Sequence, residues 1–409
     1  MATIRPFRAL RPTPEAAPRV AAVPYDVVTT AEARALAAGN PLSFLHVSRA
    51  EIDLPDGTDP YGGAVYSRAA ENLGSLALSA PFVLENEPSL YLYRMRTADG
   101  HEQTGIAGCF SLDEYDRGVV KRHEGTRRDK EDDRTRHMVA LRAQTGIVFL
   151  MYRSDPAIDS LIAKGAADAP LLEAPAPDGV THTVWRLPAD DAAAAVQAFR
   201  ALPAIYIADG HHRIASAARA RTELAEADPM AAAHFFLGVA FPDTATRILH
   251  YNRTVADLAG YTPARFVEAI AARLPVADGG PATPVKRHCA MYVGGTWRTI
   301  DLGAAVPASG PEAAAPRLDA GLLETEVFAG VMGITDIRND ARVTFAGGRK
   351  GIPEALARAV DAGHAAVAFS LAPVTPDELV AVSDYGGVMP PKSTWFDPKL
   401  RDGLLIHQI

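Results

Sequence analysis

At 409 residues, 48% of them hydrophobic, the chain is long enough to build two or three domains with sizeable cores. Its 41 basic and 49 acidic residues leave a formal net charge of −8, which argues against a DNA-coating protein. No apolar run approaches the roughly 20 residues of a membrane span, and the N-terminus lacks the basic-then-apolar layout of a signal peptide, so the expected location is the cytoplasm.

The two cysteines, Cys109 and Cys289, are too few for a disulfide framework or a thiolate metal site and are expected as reduced core residues. The chain opens with an extended Arg5-Pro6-Phe7-Arg8 segment. Val20 to Val28 is a short apolar stretch broken by Pro24, and Thr29 or Thr30 should cap a helix through Ala38, stopped by Gly39-Asn40-Pro41. Tyr25 and Asp26 then sit at a strand end facing a helix start, a common ligand position in α/β proteins, although Asp26 serves equally as a turn or cap residue. Asn40 to Val47 leads into a strand, and a helix covers Tyr61 to Leu78. Leu90 to Met95 and Gln103 to Leu112 read as a hairpin around Ala98-Asp99-Gly100.

Asp116 to Arg142 interleaves both signs of charge. The plain reading is a solvated, salt-bridged helix. Against it, Gly118-Val119-Val120 runs like a strand into the loop Arg122-His123-Glu124-Gly125-Thr126. A carboxylate beside a histidine and an arginine can take a proton from a substrate hydroxyl while the cations hold phosphate, which makes Glu124 the candidate base, His123 a catalytic candidate beside it and Arg122 a secondary one. Lys130, Asp132 and Arg134 follow as further contacts to phosphate or metal. A helix from Thr135 to Thr145 and a strand from Ile147 to Tyr152 come next, then a helix after Asp155-Pro156. Gly165 to Asp178, rich in alanine and proline, reads as a surface excursion.

From Thr181 to Phe241 strands alternate with helices: a strand His182 to Leu187, a helix capped near Asp190, an apolar strand Ala204 to Ala208, and a strand Phe235 to Phe241. Between the last two lies Asp209-Gly210-His211-His212-Arg213, a turn passing directly into an alanine-rich helix. Gly210 removes a side chain where the backbone must turn or approach a ligand, and Asp209 is placed to cap the helix. First-turn amides and the helix dipole favour an anion, and His211, His212 and Arg213 add donors, so a phosphate fits there. A zinc site is a weaker reading, because adjacent histidines point apart and no Cys-x-x-Cys or His-Glu-x-x-His is present.

Arg253 follows in His250-Tyr251-Asn252-Arg253, either reaching the site or serving the structure. The remainder reads as a second α/β region: a helix Pro263 to Arg273, paired strands His288 to Val293 and Thr296 to Leu302, a helix Asp319 to Phe328, a helix Gly351 to Ala362 and a strand Ala365 to Leu371. Gly347-Gly348 lacks the residues of a Walker or dinucleotide loop and reads as a turn. After a helix Thr375 to Tyr385, two prolines fix the path into Lys392, Ser393 and Thr394, an ammonium and two hydroxyls suited to phosphate, or else part of a strap packing Trp395 and Phe396 on the core. The expected division is 1–155, an N-terminal α/β region with the charged loop; 156–255, the region of the Asp-Gly-His-His-Arg turn; and 256–409, a C-terminal α/β region. No repeat or heptad stands out.

Asp209-Gly210-His211-His212-Arg213 after a strand resembles the signature of the ParB and sulfiredoxin superfamily in the form carried by free serine kinases. With Arg5-Pro6-Phe7-Arg8, Val23-Pro24-Tyr25-Asp26-Val27-Val28, Arg122-His123-Glu124, Lys130-Glu131-Asp132, Met389-Pro390-Pro391-Lys392-Ser393-Thr394 and Pro398-Lys399-Leu400, the whole chain is similar to a bacterial and archaeal family known mainly as a domain of unknown function related to those kinases. The resemblance implies a mixed α/β fold with a ParB/sulfiredoxin-like core. It also implies transfer of phosphate from ATP or ADP, with Mg²⁺, to a small hydroxylated metabolite, free L-serine leading, with the nucleotide phosphates on Gly210 to Arg213. His211 stands where the sulfiredoxin branch has its cysteine, which argues against sulfur chemistry. The alternative is a nucleotide-binding switch like ParB without kinase activity, or a scaffold that inherits the turn.

Overall fold

Two uninterrupted apolar runs, Val148–Tyr152 and Phe235–Pro242, lie side by side and parallel, buried on both faces as central strands must be. The computed structural model describes residues 1–78, 81–224, 228, 230–306, 310 and 314–409. The chain is a mixed α/β protein of two compact units, one comprising Met1–Thr246 with Pro398–Ile409, the other Arg247–Asp397.

In the first unit a nine-stranded sheet runs in the order Val120–Lys121, Ile205–Asp209, Val148–Tyr152, Phe235–Pro242, Glu102–Ser111, Tyr91–Arg96, Thr181–Arg186 and Leu172–Pro175, with Ile4–Arg5 also pairing Glu102–Ser111. Its core gathers Leu92, Ile106, Phe110, Leu150, Ile205, Ile207, Phe199 and Ile214. Helix Arg128–Leu141 packs on helix His211–Leu224. A four-stranded sheet joins Phe82–Leu84, Ala9–Pro12, Ile406–Gln408 and Ala143–Gln144, which draws the C-terminal residues back into this unit.

One pairing decides where the site forms. Val120–Lys121 runs parallel to Ile205–Asp209, with Val120 opposite Ile205 and Lys121 opposite Tyr206. Parallel neighbours end at the same edge of a sheet, so the loop after Lys121 and the turn after Asp209 emerge side by side.

The second unit holds an antiparallel six-stranded sheet, Val276–Asp278, Thr296–Asp301, His288–Val293, Val367–Leu371, Tyr251–Val255 and Val343–Gly347, and a short pair, Ile248–Leu249 with Trp395–Phe396. Its core includes Phe266, Ile270, Met291, Leu323, Phe328 and Phe369.

Several expected elements differ. The helix at Thr30–Ala37 is capped by Thr29 through a full capping box with Glu32, as its sequence indicates. Asn40 to Val47, expected to lead into a strand, instead ends in the helical turn Leu45–Ser48, because Phe44, Leu45 and Val47 find their core at helical spacing. Tyr25–Val27 is a tight 3₁₀ turn rather than a strand end. Within Gly165 to Asp178, Leu172–Pro175 forms the sheet's edge strand, its proline at an edge position where no ladder donor is needed. The charged segment becomes helical at Arg128, seven residues before the expected start, because its salt bridges to the neighbouring helix support it. Cys109 and Cys289 are both free and buried.

Candidate functional site

The Asp209 corner is built by backbone first. Strand Ile205–Asp209 ends, Gly210 takes φ +99°, and helix His211–Leu224 begins at the next residue. A side chain at Gly210 would lie 3.4 Å from the Val148 Cα and 3.3 Å from the Arg213 Cδ, so both the positive φ and the close approach call for glycine. The Asp209 carboxylate accepts from the Gly210 amide at 2.9 Å and from the Lys399 ammonium at 2.8 Å. Burial opposes its charge, but Lys399 and then Arg213 outweigh burial and hold the carboxyl well below the usual carboxylate range.

The charged loop is clipped onto this corner at two points. The His123 amide donates to His211 Nε2 at 3.4 Å, and the Arg127 amide donates to His212 Nε2 at 3.0 Å. The His123 and His211 rings meet edge-on, centroids 4.5 Å apart at 87°. Burial pushes His123 down to about 3, with the neighbouring His211 adding to the effect, so it is neutral at physiological pH. Glu124 lies between the two clips, half-buried, beside His123, and makes no hydrogen bond or ion pair among the described residues. A carboxylate carried on a loop clipped to the first turn of a helix can receive a proton.

Arg213 is buried. It donates to the Ile147 carbonyl at 2.7 Å and to Asp26 Oδ1 at 3.3 Å, and its guanidinium lies 5.8 Å from the Tyr25 ring. Burial works against its charge, but Asp26, Asp402 and Asp209 keep it protonated. Asp402 is buried as well, and burial pushes its carboxyl up to about 7. The two line a cavity of about 20 Å³, the size of one water, with Tyr25, Arg134 and His137.

Tyr25 also lines a larger cleft of about 280 Å³, together with Thr30, Arg49, Glu51, Tyr61, Lys130, Asp133 and Arg134. The Arg134 guanidinium sits 4.2 Å over the Tyr25 ring and pairs with Asp133 at 2.8 Å.

The structure therefore gathers Asp26, His123, Glu124, Asp209, Gly210, His211, His212 and Arg213, and leaves other candidates in pairs of their own. Arg122 is exposed and bonds Tyr115. Asp132 is bound by Arg219 at 2.5 Å, a link between two helices. Arg253 belongs to the second unit, buried, donating to the carbonyls of Tyr251 and Pro391. Lys392, Ser393 and Thr394 also belong to that unit: Lys392 has φ +55°, and the Ser393 hydroxyl donates to the Pro390 carbonyl at 2.7 Å. Sequence reasoning did not single out Lys399, Asp402 or the Arg127 amide. For Lys399 the available signal was its place in Pro398-Lys399-Leu400.

Among the described residues no group of three or more His, Cys, Asp or Glu side chains could hold a metal ion, and no helix is long and apolar enough to cross a membrane.

The chain belongs to a family described as a protein of unknown function, DUF1015, whose model matches residues 4–320. No curated protein matches it. Among solved structures it is similar to a free serine kinase in complex with AMP, at 12% identity and a TM-score of 0.38 over 74% of this chain and 91% of that one. SbnI with a C-terminal truncation, from Staphylococcus aureus, is similar at 11% identity and a TM-score of 0.40, over 74% and 87%. A conserved hypothetical protein from Pyrococcus furiosus is similar at 13% and 0.36, over 73% and 94%.

Proposed function

We propose that this protein is a phosphotransferase that moves a phosphoryl group from an adenine nucleotide, ATP or ADP, to the hydroxyl of a small metabolite, with free L-serine the leading acceptor. The observation that carries the reading is the double clip, His123 to His211 and Arg127 to His212, which holds the loop that carries Glu124 on the start of helix His211–Leu224.

The roles follow from the chemistry. The helix start and His212 receive the transferable phosphate, since helix N-termini stabilise anions. Glu124 takes the proton from the acceptor hydroxyl as its oxygen attacks phosphorus, and the nucleotide leaves with the electrons of the broken P–O bond. His211 orients the loop through the His123 amide. Asp209 and Arg213, each engaged in ion pairs, hold the corner rigid. Mg²⁺ of the kinase type needs only one or two protein carboxylates besides phosphate oxygens and water; with Glu124 kept for the proton, Asp26 is the carboxylate that would hold it. Bound there, it would neutralise phosphate charge.

Incubation of the full chain with ATP or ADP, Mg²⁺ and L-serine tests this. Phosphoserine is expected from the wild type and not from Glu124→Gln or His211→Ala. Product from Glu124→Gln at the wild-type rate would remove Glu124 as the base. Tight nucleotide binding without acceptor-dependent turnover would replace the kinase with a nucleotide-binding switch.

A further inference from the structure

The cleft beside Tyr25 carries charge in an uneven arrangement. Arg49 pairs with Glu51 at 2.9 Å and Arg134 with Asp133 at 2.8 Å. The third cation, Lys130, makes no salt bridge among the described residues: its ammonium donates to the Tyr61 hydroxyl at 2.8 Å, lies 5.2 Å from that ring and acts on the Asp129 carboxylate only at longer range. Glu51 is buried and uses its Oε1 for both the Thr30 hydroxyl, at 3.2 Å, and Arg49, while Oε2 makes no bond among the described residues. The wall thus offers one cation whose ammonium, among the described residues, is hydrogen-bonded to a neutral phenol alone, and one carboxylate oxygen still able to accept.

We propose that this cleft binds the acceptor as a small zwitterion, its carboxylate on Lys130 and its ammonium on Glu51 Oε2. This rests on the phosphotransferase reading only in calling the ligand an acceptor. The volume of about 280 Å³ suits a metabolite of a few heavy atoms rather than a nucleotide. Position supports the assignment too. Lys130 stands in the first turn of the helix that follows the Glu124 loop, and the Tyr25 ring that walls the cleft also faces Arg213. A charge-assisted bond in a partly closed site contributes about tenfold to a hundredfold in affinity. Glu51 is tied into Thr30 and Arg49 and its replacement disturbs the wall, so the discriminating variant is Lys130→Met, which removes one bond to Tyr61.

The experiment is titration calorimetry of the full chain with three probes. L-serine has both charges, serinol keeps the ammonium without a carboxylate, and D-glycerate keeps the carboxylate without the ammonium. The wild type is expected to bind L-serine at least tenfold more tightly than either analogue. In Lys130→Met, L-serine should weaken about tenfold to a hundredfold and lose its advantage over serinol, with nucleotide affinity unchanged. Unchanged serine affinity in Lys130→Met overturns the proposal, as does failure of the wild type to bind any probe at millimolar concentration, or a loss in nucleotide affinity instead. The two readings separate cleanly. Serine binding that depends on Lys130 without phosphoryl transfer keeps the cleft and removes the kinase, whereas transfer insensitive to Lys130→Met keeps the kinase and removes the cleft.

Discussion

The His123 amide reaches 3.4 Å to the Nε2 of His211, 88 residues further along the chain, while the two rings stand edge to edge. Because that Nε2 accepts an N–H, the neutral His211 ring carries its proton on Nδ1. The partner clip, Arg127 to His212, is the better bond at 3.0 Å and the more exposed. Replacing His212 by alanine should free the loop around Glu124 with little change in global stability. Hydrogen exchange at the Arg127 amide is expected to quicken about tenfold, the equivalent of one hydrogen bond, with the melting temperature nearly unchanged. Unaltered exchange there would mean that the clip does not hold the loop.

Lys399 and Asp209 make a second test, since their ion pair ties the C-terminal segment directly to the corner. Their side chains are 18% and 31% exposed, between surface and core, so the lone carboxylate left by Lys399→Met should cost about 1–3 kcal/mol. Asp209→Asn in the same chain should recover much of that loss, because an amide needs no counter-charge. A double-mutant cycle by urea unfolding measures the coupling; additive losses would show that the pair contributes nothing.

How far the sequence reveals this site depends on the range of the interactions. The corner was legible because strand, glycine and helix start are consecutive, and the helix cap at Thr29 or Thr30 was legible for the same reason. The Glu124 loop was recognised as charged, but its seat against His211 follows from the parallel pairing of Val120–Lys121 with Ile205–Asp209, a long-range register that no local pattern encodes. Lys399, Asp402 and the cleft around Lys130 were not legible, since each depends on the last residues or the first helices folding back onto a distant segment. The Leu45–Ser48 turn shows the reverse limit: a short apolar run serves a helix or a strand equally well until its neighbours are known.

Gly347 tests another local reading. A side chain there would lie 2.1 Å from the Trp395 ring, so the Gly347-Gly348 pair makes room for an indole packed on the strand end. Gly347→Ala should therefore lower the stability of the second unit by about 1–3 kcal/mol through overpacking. Trp395→Leu, which opens space, should remove most of that penalty when combined with it. Thermal melts of the two single variants and the double decide the point.

The first unit should also be acid-labile. Burial holds four of its histidines neutral: His123 and His137 are pushed down to about 3, His407 to about 4, and His182 well below its usual value. Below about pH 6.5 the unfolded chain takes up protons that these buried rings refuse, so their contribution to stability is full above that pH and is lost as the pH falls toward the folded values. Asp402, pushed up to about 7 by burial, acts in the opposite sense. It keeps a proton that the unfolded chain gives up above about pH 4, so its stabilisation is present in acid and lost as the pH rises through 7. Each such group contributes a slope of about 1.4 kcal/mol per pH unit, and four histidines against one carboxyl leave roughly 4 kcal/mol lost per unit between about pH 6 and 4. A domain of ordinary stability, about 5–15 kcal/mol, does not withstand much of that. Urea unfolding followed by circular dichroism at pH 8, 7, 6 and 5 should show stability falling steeply below 6, and His407→Gln, which keeps a donor for the Ala232 carbonyl, should make the fall shallower. Asp402→Asn should gain stability relative to the wild type at pH 8 and lose that advantage at pH 5. A flat profile from pH 7 to 5 would contradict the neutral burial of these rings.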